Sequence, residues 1–337
     1  MVAKNDPVLR TIAIVGFPRS GTTWFANILN SHPLTVYRHE VFGRLYGAFG
    51  EEIFSKLRFD HGLSDGDYAA ALRTVLKSHV ASEKPPFFSK AYRRFLGPKT
   101  QKIVWSAARM IGRFSPLYAR LFTPPPSESL ILVIKETRSS ANLASILHGI
   151  RTNQVIALAR HPYGVIGSHL KGYAARLMDR IETAKRLEWY RAHSGARYVV
   201  ERAFDESYIR EASEVELLAI MWRVQNENYL EMAKTFPLFE LIGYERFLSD
   251  VVHHTKSLFE KLGISWHEQV LRFIQSASDS ESRALQIFPD ASATYYSVYR
   301  ERGFKPNQWN GLLSSQEIEL IDSHTAAFAS ELGLVAR

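Results

Sequence analysis

The sequence predicts an α/β fold, a three-layer α/β/α arrangement with a mostly parallel central sheet and helical insertions. Short apolar runs recur between helical stretches, at 11–15, 34–37, 130–134, 155–159 and 239–242. Strands separated by helices need long crossovers, which favour parallel pairing in a sheet covered on both faces. The first run opens directly into a glycine-bounded loop, and the fourth into a proline-started helix, the two places where such a sheet binds ligands.

The first element is Thr11–Val15, followed by Gly16-Phe17-Pro18-Arg19-Ser20-Gly21-Thr22-Thr23-Trp24. Strand, glycine-bounded loop and helix start are the parts of a phosphate-binding (P-loop) element, whose backbone N–H groups point at an anion. The nucleoside-triphosphate version reads G-x-x-x-x-G-K-S/T, and Gly16, Gly21 and Thr23 fit it. The lysine position does not fit: Thr22 stands there, and a cation, Arg19, sits earlier in the loop. The expected ligand therefore carries a phosphate but a different terminal group.

The second run ends just before Arg38-His39-Glu40. From about 41 to 129 the sheet pattern lapses into an aromatic and basic segment closed by Pro124-Pro125-Pro126. An excursion this long is expected to be a helical insertion, a lid or an acceptor-binding surface. The third run leads into Lys135-Glu136-Thr137-Arg138, and the fourth into Arg160-His161-Pro162-Tyr163-Gly164-Val165-Ile166-Gly167-Ser168. Proline suits a helix's first turn, so Arg160 is expected at the strand end and Ser168 about two turns later.

A second helical insertion is expected over about 172–213. Leu217, Leu218, Met221, Trp222, Tyr229 and Met232 then recur at helical spacing, a core stripe within 217–234. The fifth run leads to Tyr244-Glu245. Ser314-Ser315-Gln316-Glu317 is a capping-box pattern, predicting a last helix that runs to the Gly333 region. Without a repeat or low-complexity tract, 8–337 is expected to form a single domain.

Composition narrows the classes. Hydrophobic residues make up 46% and charged residues 23%, enough for a sizeable core. The net charge of +8 favours an anionic ligand or partner. With no cysteine, disulfides, thiolate metal sites and a cysteine nucleophile are excluded. The start of the chain lacks a signal-type apolar region, and its apolar runs are too short to span a bilayer, so a cytoplasmic location is expected. Nucleic acid is not an expected partner.

Pro18 to Trp24 after a strand resembles the 5′-phosphosulfate loop of sulfotransferases, which use 3′-phosphoadenosine 5′-phosphosulfate (PAPS) as donor. The resemblance implies that Pro18, Arg19, Ser20, Gly21, Thr22, Thr23 and Trp24 hold the donor's 5′ end. The Arg160–Ser168 stretch is similar to the family's 3′-phosphate motif, which implies that role for Arg160 and Ser168. Tyr244-Glu245 resembles a segment whose tyrosine lies near the adenine. Arg300-Glu301-Arg302-Gly303 with Trp309 resembles the element that closes over the 3′-phosphate, implying Arg302 and Gly303 as contacts. Here Glu301 splits the basic pair, and the spacing to Trp309 is one residue longer than usual.

The cytosolic branch places a histidine base after the third core strand, where this chain has Lys135-Glu136-Thr137-Arg138. This departure resembles the carbohydrate-modifying and tyrosylprotein branches, in which His-Pro is followed, at the spacing of His32-Pro33 to Glu40, by a glutamate base. Glu40 is thus the implied base, with Glu136 and His39 as alternatives, and Arg19 and Lys135 as cations at the reacting groups. A bacterial-type soluble relative is expected, which transfers a sulfuryl group to a hydroxyl, less readily an amine, of a carbohydrate or glycolipid. No metal is expected. The competing readings are a P-loop small-molecule kinase and a catalytically degenerate relative; acceptor identity and oligomeric state stay open.

Overall fold

The computed structural model describes residues 10–44, 46–49, 51–59, 63–93, 95–125, 127–137, 142–278 and 309–334. Five strands form one sheet: β1 (Arg10–Val15), β2 (Thr35–His39), β3 (Ile131–Glu136), β4 (Gln154–Ala159) and β5 (Leu238–Gly243). Their order is β2-β3-β1-β4-β5, and every neighbouring pair is parallel. Each strand grows out of one of the five apolar runs. β2 and β3 extend two residues beyond theirs, because His39 pairs with Lys135 and Val15 pairs with Glu136.

Alternation along each strand divides the core in two. Ala13, Val15, Leu132, Ile134, Val155 and Ala157 face one layer, packed by the helices Glu51–Phe59, Asp65–Leu76 and Leu143–Gly149. Ile12, Ile14, Val133, Ile156 and Leu158 face the other, packed by Thr22–Asn30, Val251–Lys261 and Glu268–Ser278. Apart from Arg10, β1 to β4 are buried on both faces, which is why they read as largely apolar runs, while the edge strand β5 is only partly buried.

Between β2 and β3 the described elements are helical, ending in Pro98–Met110 and Ser115–Phe122. Proline stands in the first turn of each of these two, where a missing N–H costs nothing. They pack on each other through Trp105, Ala108, Tyr118 and Phe122. A buried carboxylate ties this pair to the sheet: Glu83 meets Arg38 of β2 at 2.8 Å and accepts from Gln101 at 3.0 Å and from the Tyr118 hydroxyl. Arg38 Nε also donates to the Val75 carbonyl at 2.8 Å, and the His39 N–H to the Ser82 carbonyl at 2.9 Å.

Residues 172–213 carry the end of the helix Pro162–Ala174 and the helices Thr183–His193, Arg197–Glu201 and Glu206–Glu211. The expected core stripe lies on the helix Glu214–Met232, where Leu217, Leu218, Trp222, Tyr229 and Met232 are buried. The last described helix, Ser315–Glu331, starts on a reciprocal Ser314/Glu317 capping box. Gly333 follows it at φ 66°, the left-handed turn that favours glycine at a helix end. No helix among the described residues is long and apolar enough to cross a membrane.

Because Glu83 neutralises buried Arg38, Glu83→Ala is expected to lower stability by about 3–5 kcal/mol, the cost of stranding one partner of a buried pair. Urea unfolding measures it. A loss of about 1 kcal/mol or less, the worth of an exposed pair, would refute the assignment.

Candidate functional site

The loop after β1 is built for close approach. Arg19 and Gly21 both lie in the left-handed region, at φ 73° and 87°. A Cβ on Gly21 would strike the Tyr244 ring, and one on Gly16 would strike the Leu158 carbonyl. The helix Thr22–Asn30 begins with Gly21 at its N-cap and no capping side chain. Its first N–H groups therefore face the loop's concavity with the positive end of the helix dipole.

The helix after β4 closes on this loop. Pro162 starts it as expected, Arg160 lies just past the strand, and Ser168 sits within the helix. Arg19 Nε donates to Ser168 Oγ at 3.1 Å, and an Arg160 guanidinium nitrogen donates to the Arg19 carbonyl at 3.1 Å. The Arg160 guanidinium also lies 4.9 Å from the centre of the Tyr244 ring. Trp222 Nε1 fixes the Arg160 carbonyl at 3.1 Å, and Glu245 accepts the His161 N–H at 3.1 Å. Arg19, Gly21, Arg160, Ser168 and Tyr244 thus form one cluster. Trp24 packs beneath it, edge-on to Tyr244 and Phe247.

Ser20 Oγ and Arg160 Nε are buried with no hydrogen-bond partner among the described residues, Arg160 Nε having only the Glu245 carboxylate at 3.9 Å. Buried donors of this kind call for an acceptor. Together with the free helix N-terminus, they fit a phosphate-bearing ligand. Arg302 and Gly303 lie outside the described residues. Trp309 is described, 4.7 Å from the Tyr163 ring and beside Gly167.

A second cluster surrounds Glu40, which follows β2 in the left-handed region at φ 50°. Lys135 Nζ reaches one carboxylate oxygen at 2.6 Å, and the Thr137 hydroxyl donates to the same oxygen at 3.1 Å. Arg44 holds the other oxygen at 2.9 Å. Burial pushes the Glu40 carboxyl upward, but Lys135, His39 and Arg44 outweigh it and hold the group well below the usual carboxylate range. His39 lies 3.7 Å from Glu40 and 3.0 Å from the Tyr37 hydroxyl. Its burial keeps the imidazole far below its ordinary value. Glu136 is fully buried and accepts the Phe42 N–H at 3.3 Å and the Thr137 N–H at 3.0 Å.

The register joins the two clusters, since Val15, the residue before the loop, pairs with Glu136, next to Lys135. A small pocket next to the Arg38–Glu83 pair is lined by Tyr37, Lys84, Phe87, Phe88, Lys90 and Tyr92 among others, and Glu40 is not one of its lining residues. Lys84 is brought down to about 8, by burial first and then by repulsion from Arg44, opposed by Glu40. No group of acidic and histidine side chains able to hold a metal occurs among the described residues.

Four contributors escaped sequence reasoning. Arg44 stands four residues after Glu40 on the following helix, a spacing that could have flagged it. Thr137 and Glu245 were within quoted segments, but only the fold shows which way they face. Nothing in the local sequence connects Lys84 to Glu40.

The profile of the sulfotransferase family matches residues 11–268. A search of curated proteins finds no match. Among solved structures, mouse sulfotransferase SULT7A1 complexed with PAP is similar at 13% identity and TM-score 0.51, covering 97% of this chain and 90% of that one. The sulfotransferase domain of the Synechococcus PCC 7002 olefin synthase is similar at 15% identity and TM-score 0.43, covering 96% and 97%. A sulfotransferase from Alicyclobacillus acidocaldarius gives 12% identity and TM-score 0.41, covering 99% and 98%.

With Lys135 removed, burial should dominate at Glu40. Lys135→Met is therefore expected to raise the Glu40 titration from below the carboxylate range to within or above it, read by carbon NMR of labelled glutamate. An unmoved titration would show that Lys135 is not what holds the carboxylate ionised.

Proposed function

The chain belongs to the sulfotransferase family, and from that premise we propose that it transfers a sulfuryl group from PAPS to a hydroxyl of a carbohydrate or glycolipid. The observation that carries the reading is the junction of Arg19, Ser168 and Arg160, which joins the loop after β1 to the helix after β4. Two anion cradles joined in this way suit one nucleotide bearing phosphates at both ends of its ribose.

In this reading the amides of 18–23, with Arg19, Thr22 and Thr23, hold the 5′ end, and Arg160 and Ser168 hold the 3′-phosphate. Tyr244 borders the adenine, and Arg302 and Gly303 cover the 3′-phosphate. Bound there, PAPS supplies a sulfuryl group on a good leaving group, and the product is 3′-phosphoadenosine 5′-phosphate (PAP). Thr22 in place of the triphosphate lysine agrees with a terminal group of lower charge.

Glu40 takes the proton of the acceptor hydroxyl as its oxygen bonds to sulfur and the bond from sulfur to the 5′-phosphate breaks. While Lys135 and Arg44 grip it, Glu40 is a weak base. Lys135, turning toward the bridging oxygen, would raise the proton affinity of Glu40 and neutralise the departing phosphate. Positioning carries much of the rest, as in phosphoryl transfer. A sugar acceptor is supported by the aromatic and basic composition of the insertion over about 41–129.

Arg160→Ala is expected to weaken PAP about ten- to a hundredfold, the loss of a charged hydrogen bond, while adenosine 5′-phosphate binding barely changes. Calorimetry with both nucleotides checks this, and equal losses would remove Arg160 from the role. Glu40→Gln is expected to lower turnover about 10²–10⁴-fold with PAP affinity nearly intact; full activity in a labelled-PAPS assay would exclude Glu40 as base.

A further inference from the structure

We propose that the outward face of the helix pair Pro98–Met110 and Ser115–Phe122 docks this protein onto the surface of an anionic lipid bilayer. The first observation is exposed apolar surface. Of the ten large hydrophobic side chains exposed among the described residues, six fall within 95–121: Phe95, Ile103, Met110, Ile111, Leu117 and Leu121. Phe95 is 96% exposed, Met110 85% and Ile103 70%, values that leave almost the whole side chain in water. A concentration of this kind marks a surface awaiting a partner.

Charge identifies the partner. From Lys84 to Ser127 the sequence contains nine lysines and arginines and not one aspartate or glutamate. Lys99, Arg109, Arg113 and Arg120 are exposed on or between the two helices. On the first helix Ile103 and Met110 are seven residues apart and share a face, flanked by Lys99 and Lys102; on the second, Leu117 and Leu121 share a face beside Arg120. The opposite faces carry Trp105, Ala108, Tyr118 and Phe122, which pack together.

Exposed aliphatic groups rimmed by lysine and arginine are the composition of a helix that lies in an anionic membrane interface. Single-stranded nucleic acid would need aromatic rings for stacking. Within this patch Phe95 is a single exposed ring, with no second one for successive bases, and Trp105, Tyr118 and Phe122 are buried. Neither helix is long enough to cross a bilayer, so the contact is peripheral. The pair is fastened through Glu83 to β2, one residue of which precedes His39 and Glu40. A glycolipid headgroup held at that surface would rest on the insertion that this link ties to the strand preceding Glu40. This last link alone rests on the sulfuryl-transfer reading; the docking does not.

The test is sedimentation of the full chain with vesicles of phosphatidylcholine alone or mixed with phosphatidylglycerol, at low and high salt. Retention on the anionic vesicles is expected to exceed that on neutral ones by about tenfold or more and to fall as salt rises. Ile103→Glu with Met110→Glu, and separately Arg113→Glu with Arg120→Glu, should abolish retention while the urea midpoint and the heat of PAP binding stay unchanged. Absent or equal retention on both vesicle types overturns the proposal, as does retention by either double variant. So does an oligomer in vesicle-free buffer that the Ile103/Met110 variant dissolves, since the face would then bind a second copy. Loss of PAP binding in the unmodified protein would instead sink the donor reading and leave the docking standing.

Discussion

Parallel pairing is the constraint on which everything else in this molecule depends. It brings the carboxyl ends of all five strands to one edge of the sheet. The loop after β1, Glu40 after β2, Lys135 at the end of β3, Arg160 after β4 and Tyr244 after β5 are neighbours for that reason alone. A helix N-terminus and two arginines then make the edge positive around the loop. Carboxylates interrupt that field: Glu40, held by Lys135 and Arg44, and with it Glu136 and Glu245 at neighbouring strand ends. The site's electrostatics are a consequence of topology, and the individual side chains refine them.

Two non-glycine residues at this edge, Arg19 and Glu40, are held in left-handed backbone. Such conformations cost about 1–3 kcal/mol each and persist only where surrounding contacts over-determine them. At Glu40 those contacts are visible: its N–H donates to the Lys135 carbonyl at 2.7 Å while its side chain meets Lys135, Thr137 and Arg44. At Arg19 the carbonyl is gripped by Arg160 and the side chain by Ser168. Both strained residues are also candidates for direct chemistry, so the strain falls where the chemistry is proposed.

Strands β1 to β4 were legible because burial on both faces leaves largely apolar runs, and the ends of β2 and β3 were blurred because they lengthen only by pairing, His39 with Lys135 and Glu136 with Val15. The capping box at Ser314 and the proline start at Pro162 were legible since each is a local rule. So was the loop around Arg19, whose residue types and order are themselves the signal. What stayed hidden is what the insertion brings in from afar. Lys84 acts on Glu40 across 44 residues of sequence, and Glu83 finds Arg38 across 45. Neither pairing follows a helical or strand period. Composition did show the segment to be basic and aromatic, but only side-chain exposure separates its packed rings from its water-facing aliphatics.

β2 lies at the border of the sheet, where unpaired N–H and C=O groups would invite another strand. The chain segment near 75–83 masks that border, through Arg38 to the Val75 carbonyl and the His39 N–H to the Ser82 carbonyl. The long excursion between β2 and β3 is therefore a chaperone for its own sheet, whatever else it carries. Trimming it to reach a minimal unit would bare a sticky rim beside Glu40, and aggregation would precede any loss of chemistry.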